Sequence, residues 1–124
     1  MPDVVDLTLD LIRFKSMHSR PDEIRNCMAF MENFLTRHGL GYRRIEQNGI
    51  PTLLVLRPDG YAPVLLMSHI DVVDAPDELF EPRVENGRIF GRGSIDDKYA
   101  AALSLVLAVE TLALQISTIL ENSQ

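Results

Sequence analysis

One cysteine, Cys27, is all the sequence has, so no intrachain disulfide can form. That suits a reducing compartment, and a cytoplasmic location is expected. Bases are also scarce, 12 against 18 acids for a net charge of −6, and ten of the twelve are scattered arginines. Nucleic acid needs a basic face and a membrane surface a polybasic cluster, so neither is expected as a partner. The only long apolar run, residues 100–120, is interrupted by Glu110 and Gln115 and has no basic flank. It is expected to be a buried helix and not a membrane span. The opening MPDVVDLTLD is acidic from Asp3 onward, unlike a secretory signal. There is no repeat, no low-complexity tract and no Pro/Gly/Ser-rich linker. G-x-S-x-G, phosphate-loop and dinucleotide-binding glycine motifs are absent as well. What remains is a globular composition, 46% hydrophobic and 24% charged over 124 residues. One domain of that size should bury roughly two-thirds of its unfolded surface.

The apolar spacing predicts helices first. Val4, Leu7, Leu11 and Phe14 recur on one face, with Asp3 and Asp6 placed for the first turn. A second helix starts at Ser19 or Arg20, with Pro21, Asp22 and Glu23 in its first turn and Gly39 as its stop. Its stripe of Ile24, Cys27, Met28, Met31, Phe34 and Leu35 is read as core packing. Strands follow: 42–47, the Asn48-Gly49 turn, 52–56, and a closing Pro58-Asp59-Gly60 turn. Residues 63–70 (PVLLMSHI) read as a central strand covered on both faces. Asn86-Gly87, between Arg83-Val84-Glu85 and Arg88-Ile89-Phe90, marks a hairpin. A long helix begins near Asp97. Together these elements indicate an α/β sandwich.

Chemistry concentrates in residues 68–98. His69 and Asp71 sit two apart where the apolar run ends, so in extended chain both side chains face one way. Pockets in α/β sheets open at the carboxyl ends of strands. An imidazole with a carboxylate beside it there is either a metal ligand with its orienting partner or a structural hydrogen bond. The second piece is Gly91-Arg92-Gly93-Ser94-Ile95-Asp96-Asp97-Lys98, two glycines and then two acids entering a helix. By itself Asp96 reads as a helix cap and Asp97 as a first-turn acid. With His69 and Asp71 on the same side, a divalent cation becomes the sharper reading. Asp74, Asp77, Glu78 and Glu81 are read as a solvated acidic loop. His38 is read as a surface residue complementing a helix dipole. For His18, in the loop after the first helix, an approach to the pocket is the minority reading.

Ser68-His69-Ile70-Asp71-Val72-Val73 followed some twenty residues later by Gly91-Arg92-Gly93-Ser94-Ile95-Asp96-Asp97-Lys98 closely resembles the co-catalytic zinc metallopeptidases. Aminoacylase, acetylornithine deacetylase, succinyl-diaminopimelate desuccinylase, carnosinase-like dipeptidases and glutamate carboxypeptidase are of that family. Leu11-Ile12-Arg13-Phe14-Lys15-Ser16 resembles its first helix and following serine. The resemblance implies an α/β three-layer sandwich of the zinc-peptidase (phosphorylase/hydrolase-like) type, incomplete here, with a mixed sheet between helices. It implies that His69 binds one metal, that Asp96 bridges two, and that Asp71 orients His69 as a catalytic residue. The metals would be two zinc ions, or Co2+ or Mn2+ in their place, polarising the scissile amide and activating a water. It also implies a cis peptide between Asp96 and Asp97. The substrate would be a small peptide or an N-acyl amino acid. Asp97 after Asp96 is similar to the dipeptidase-like branch.

The sequence departs from the family pattern at Ser68, Asp74 and Tyr99, where Gly, Pro and Gly are common. The larger departure is that QISTILENSQ, residues 115–124, holds no match to the family's Glu-Glu pair. The expectation is therefore the N-terminal part of a catalytic domain, without its C-terminal half or the lid and dimerisation domain. Two readings follow: half of a zinc-dependent amide hydrolase, or a non-catalytic module that self-associates and binds metal weakly or not at all. A homodimer suits either.

Overall fold

The computed structural model describes residues 2–56 and 60–122. Helix α1 (Val4–Ile12) starts at Asp3, whose carboxylate accepts from Val5 N at 2.7 Å and from Asp6 N at 3.4 Å. Asp3 is thus the cap and not a first-turn acid, and it satisfies amides that a helix start leaves orphaned. Phe14, just past the helix, still packs against the core. Helix α2 (Pro21–Arg37) follows Arg20 with proline in first position, as its sequence predicts. It closes with Leu40 N donating to Leu35 O at 2.9 Å and Gly39 N to Thr36 O at 3.1 Å, a Schellman ending. Cys27, Met28, Phe34 and Leu35 are buried along it. Burial pushes the Cys27 thiol up to about 12, so it is inert packing. His38 is more than a surface residue. Its Nδ1 donates to Phe34 O at 2.8 Å, and its ring lies 4.3 Å from that of Phe34.

Both Asn-Gly dipeptides close antiparallel hairpins. Strand β1 (Tyr42–Gln47) pairs with β2 (Ile50–Val55), Tyr42 opposite Val55. Strand β3 (Arg83–Glu85) pairs with β4 (Arg88–Phe90), Arg83 opposite Phe90. The turn residues have φ of 54° and 77° at Asn48 and Gly49, and 52° and 74° at Asn86 and Gly87. Positive φ at both central positions is what a type I′ turn requires. A 3-10 turn, Asp77–Phe80, precedes β3 and buries Phe80. Helix α3 (Lys98–Asn122) is the last described element. The turn expected at Pro58 and Asp59 lies outside the described residues.

The core joins Leu7 and Leu11 of α1, Phe34 and Leu35 of α2, and Ala101, Ala102, Leu105 and Val106 of α3. Leu40 and Ile70 close it. The central strand expected at 63–70 does not form. Val64, Leu65, Leu66 and Met67 are 67%, 70%, 55% and 83% exposed, so consecutive side chains on both sides of the run face solvent. An apolar run becomes a strand only when neighbours take up its amides and carbonyls and layers cover its faces. Among the described residues the only pairing nearby is one parallel bridge, Met17 with Val72, beyond the run. The described residues form an α/β arrangement with two two-stranded antiparallel sheets and three helices. Among the described residues, no helix is long and apolar enough to cross a membrane.

Candidate active site

The site is assembled where the loop after α1 runs beside the end of the apolar segment. Ser16 Oγ donates to Ile70 O at 2.7 Å, and Val72 N donates to Ser16 O at 3.0 Å. Farther along, Ser19 Oγ donates to Asp74 Oδ1 at 2.9 Å. Ser16 is fully buried, so its hydroxyl is a structural tie. These bonds hold residues 16–19 alongside residues 70–74, with His69 and Asp71 at the exposed edge.

The His69 ring lies between acceptors on both sides. Its Nδ1 is 3.0 Å from Asp71 O and 3.2 Å from Asp71 Oδ1, and its Nε2 is 3.0 Å from Asp96 Oδ1. Its backbone N donates to Asp97 Oδ2 at 3.2 Å. Burial pulls the His69 pKa down, but the Asp71 and Asp96 acceptors outweigh it and leave the value raised. Burial likewise pushes Asp71 up, yet the hydrogen bond from His18 and the charge of His69 hold it below the usual carboxylate range. His18 Nε2 donates to Asp71 Oδ2 at 2.7 Å.

Asp96 and Asp97 arrive from the loop before α3, and the peptide joining them is cis. Gly93 has φ +96°, and a Cβ there would stand 2.8 Å from Lys98 Cδ and 2.9 Å from Lys98 Cγ. Lys98 is fully buried beneath this loop. Its Nζ donates to Phe14 O at 2.7 Å and lies 5.6 Å from the centroid of the Phe80 ring. One lysine therefore ties the end of α1, the 3-10 turn and the Asp96 loop together. Burial pushes its pKa down to about 8.

The structure thus brings His69, Asp71 and Asp96 to one edge, around a cavity of about 410 Å3 that His18 and Gly93 also line. Asp96 is not a helix cap, since its carboxylate meets His69. Two residues play parts that the main sequence reading did not give them, Asp97 taken as a first-turn acid and His18 taken into the pocket only as the minority reading. Asp97 braces the His69 backbone, and His18 reaches Asp71 across 53 positions. The place of His18 in the loop after the first helix allowed the approach, but no local signal named Asp71 as its partner. The acidic loop contributes nothing to the cavity: Asp74 accepts from Ser19, and Asp77 pairs with Lys15 at 3.3 Å. A second cavity, about 280 Å3, lies by Leu79, Arg83 and Phe90 and has no imidazole. Arg92 lines both, its Nε buried without a hydrogen-bond partner.

Among the described residues, no group of three or more His, Cys, Asp or Glu side chains is arranged to hold a metal ion. His69 Nε2 and Asp96 Oδ1 converge, but zinc normally takes four ligands. The described donors alone do not fit a zinc ion.

Residues 65–118 match the model described as Peptidase family M20/M25/M40, and the chain is related to the M20 peptidases as its motifs implied. More particularly, it is similar to succinyl-diaminopimelate desuccinylases. It is 31% identical to that of Xanthomonas oryzae pv. oryzae over 119 residues, covering 91% of this chain and 31% of the relative. The Zymomonas mobilis protein of that name is 31% identical, covering 86% of this chain and 30% of the relative. The Sulfurovum sp. protein is 30% identical, covering 98% and 34%. The chain spans about a third of the length of the curated relatives it matches.

Proposed function

We propose that the chain is the N-terminal part of the catalytic domain of a cytoplasmic, zinc-dependent amide hydrolase and carries half of a dinuclear site. In this reading His69 and Asp96 are metal ligands, and Asp71 is the catalytic residue that orients His69. The substrate is a small N-acyl amino acid or dipeptide, and the relatives' name favours an N-succinyl amino acid. The complete domain would be a three-layer sandwich in which residues 63–70 gain strand partners. The observation that carries this is the 3.0 Å approach of His69 Nε2 to Asp96 Oδ1 inside the matched segment. Among the described residues there is no third ligand, and none besides these is placed as a base to take a proton from water.

The alternative reading is a non-catalytic module, favoured by the lack of a third ligand among the described residues. Calorimetric titration with Zn2+ of the 124-residue chain and of its His69→Ala and Asp96→Ala variants, alongside an N-succinyl amino acid hydrolysis assay, separates the two, since only the half-site requires binding that depends on both residues. The expected result is zinc affinity weaker than about 1 μM, since two ligands leave zinc short of four, with no turnover. His69→Ala or Asp96→Ala should abolish the residual binding. Submicromolar affinity with turnover overturns the half-site. Binding indifferent to both substitutions overturns the ligand assignment.

A further inference from the structure

We propose that His18 is a positioning residue, fixing the Asp71 carboxylate so that its free oxygen faces His69. The inference rests on the reading of His69, Asp71 and Asp96 as the reactive edge, and it adds a residue that the motifs do not contain. The two Asp71 oxygens are divided: Oδ2 accepts from His18 Nε2 at 2.7 Å, and Oδ1 lies 3.2 Å from His69 Nδ1. The terminal torsion of an aspartate is broad and nearly two-fold, so one partner leaves the carboxylate free to turn. A second donor on the opposite oxygen removes that freedom. Orienting partners of this kind fix the tautomer and direction of the imidazole they touch.

His18 is delivered to this place by the fold. The segment around it is tied at Ser16 to Ile70 and Val72, and at Ser19 to Asp74. Met17 also pairs with Val72. His18, Asp71, His69 and Asp96 therefore form one ordered chain with successive contacts of 2.7, 3.2 and 3.0 Å. All four line the same cavity.

The test is long-range 1H–15N spectroscopy of the imidazoles, at one fixed pH and without metal. It compares the 124-residue chain with its His18→Leu and His18→Gln variants. His18→Leu should shift the His69 Nδ1 resonance. His18→Gln, whose amide can still donate to Asp71 Oδ2, should return it toward the parent position. Circular dichroism should be the same in all three, because the His18 side chain is 61% exposed. A His69 Nδ1 resonance unmoved by His18→Leu, or moved equally by both variants, overturns the proposal. So does loss of fold in His18→Leu, which would make the residue structural. Zinc titration of the same samples reports on the functional reading separately. That reading can fail, with zinc indifferent to His69, while the metal-free Nδ1 result stands.

Discussion

Two acceptors share the His69 ring, Asp71 on one nitrogen and Asp96 on the other, and this decides its protonation. Both nitrogens can then carry protons, and the imidazolium is favoured. We expect NMR titration to place the His69 midpoint above the ordinary 6.5, and Asp96→Asn to lower it. The sign follows for stability. A raised folded pKa stabilises most below the unfolded value, and that stabilisation is lost as pH rises through the folded value. A cation at Nε2 must displace a proton, so any zinc uptake should release protons and weaken as pH falls. Buffers of different ionisation enthalpy in the calorimeter check this.

At the scale of elements, the loop entering α3 is built on a close approach. Gly93→Ala would drive a Cβ to 2.8 Å from a lysine side chain pinned at its far end, at a backbone angle of φ +96°. We expect a loss of about 1–3 kcal/mol in denaturant unfolding, the usual range for forced overpacking. Lys98 adds a pH signature of its own. Its folded pKa of about 8 lies below the ordinary 10.5. Between those values the unfolded chain holds a proton that the folded chain has released. Stability from this group therefore rises with pH from about 8 to about 10.5. Above the ordinary 9 of a thiol, Cys27, raised to about 12, opposes this rise, so thermal melts between about pH 8 and 9 should show it in the parent and not in Lys98→Met.

For the whole molecule, the open feature is the run at 64–67, apolar and exposed. Such a segment is a ready template for pairing with another chain. We expect the purified 124-residue chain to self-associate in light scattering. Leu65→Lys, at a side chain 70% exposed, should reduce association without lowering the melting temperature of the helical core. A strictly monomeric parent at high concentration would contradict this.

Local chemistry was legible in the sequence by itself. Pro21 and the Gly39 ending set the limits of α2, two Asn-Gly pairs set two hairpins, and the apolar stripe named the buried face of α2. Each rests on interactions within a few residues, where propensity and spacing are decisive. The two motifs also named His69, Asp71 and Asp96, because side-chain type and spacing are readable without coordinates. Only the tertiary structure decided what depends on distant neighbours. The run at 63–70 has strand composition but no strand, since a ladder needs partners that composition cannot supply. His18 meets Asp71, Asp97 holds the His69 backbone, and Lys98 reaches Phe14 across 84 positions. Those contacts exist because packing brings the loop after α1, the end of the apolar run and the start of α3 to one edge, a placement set by the shared core and not by any local pattern.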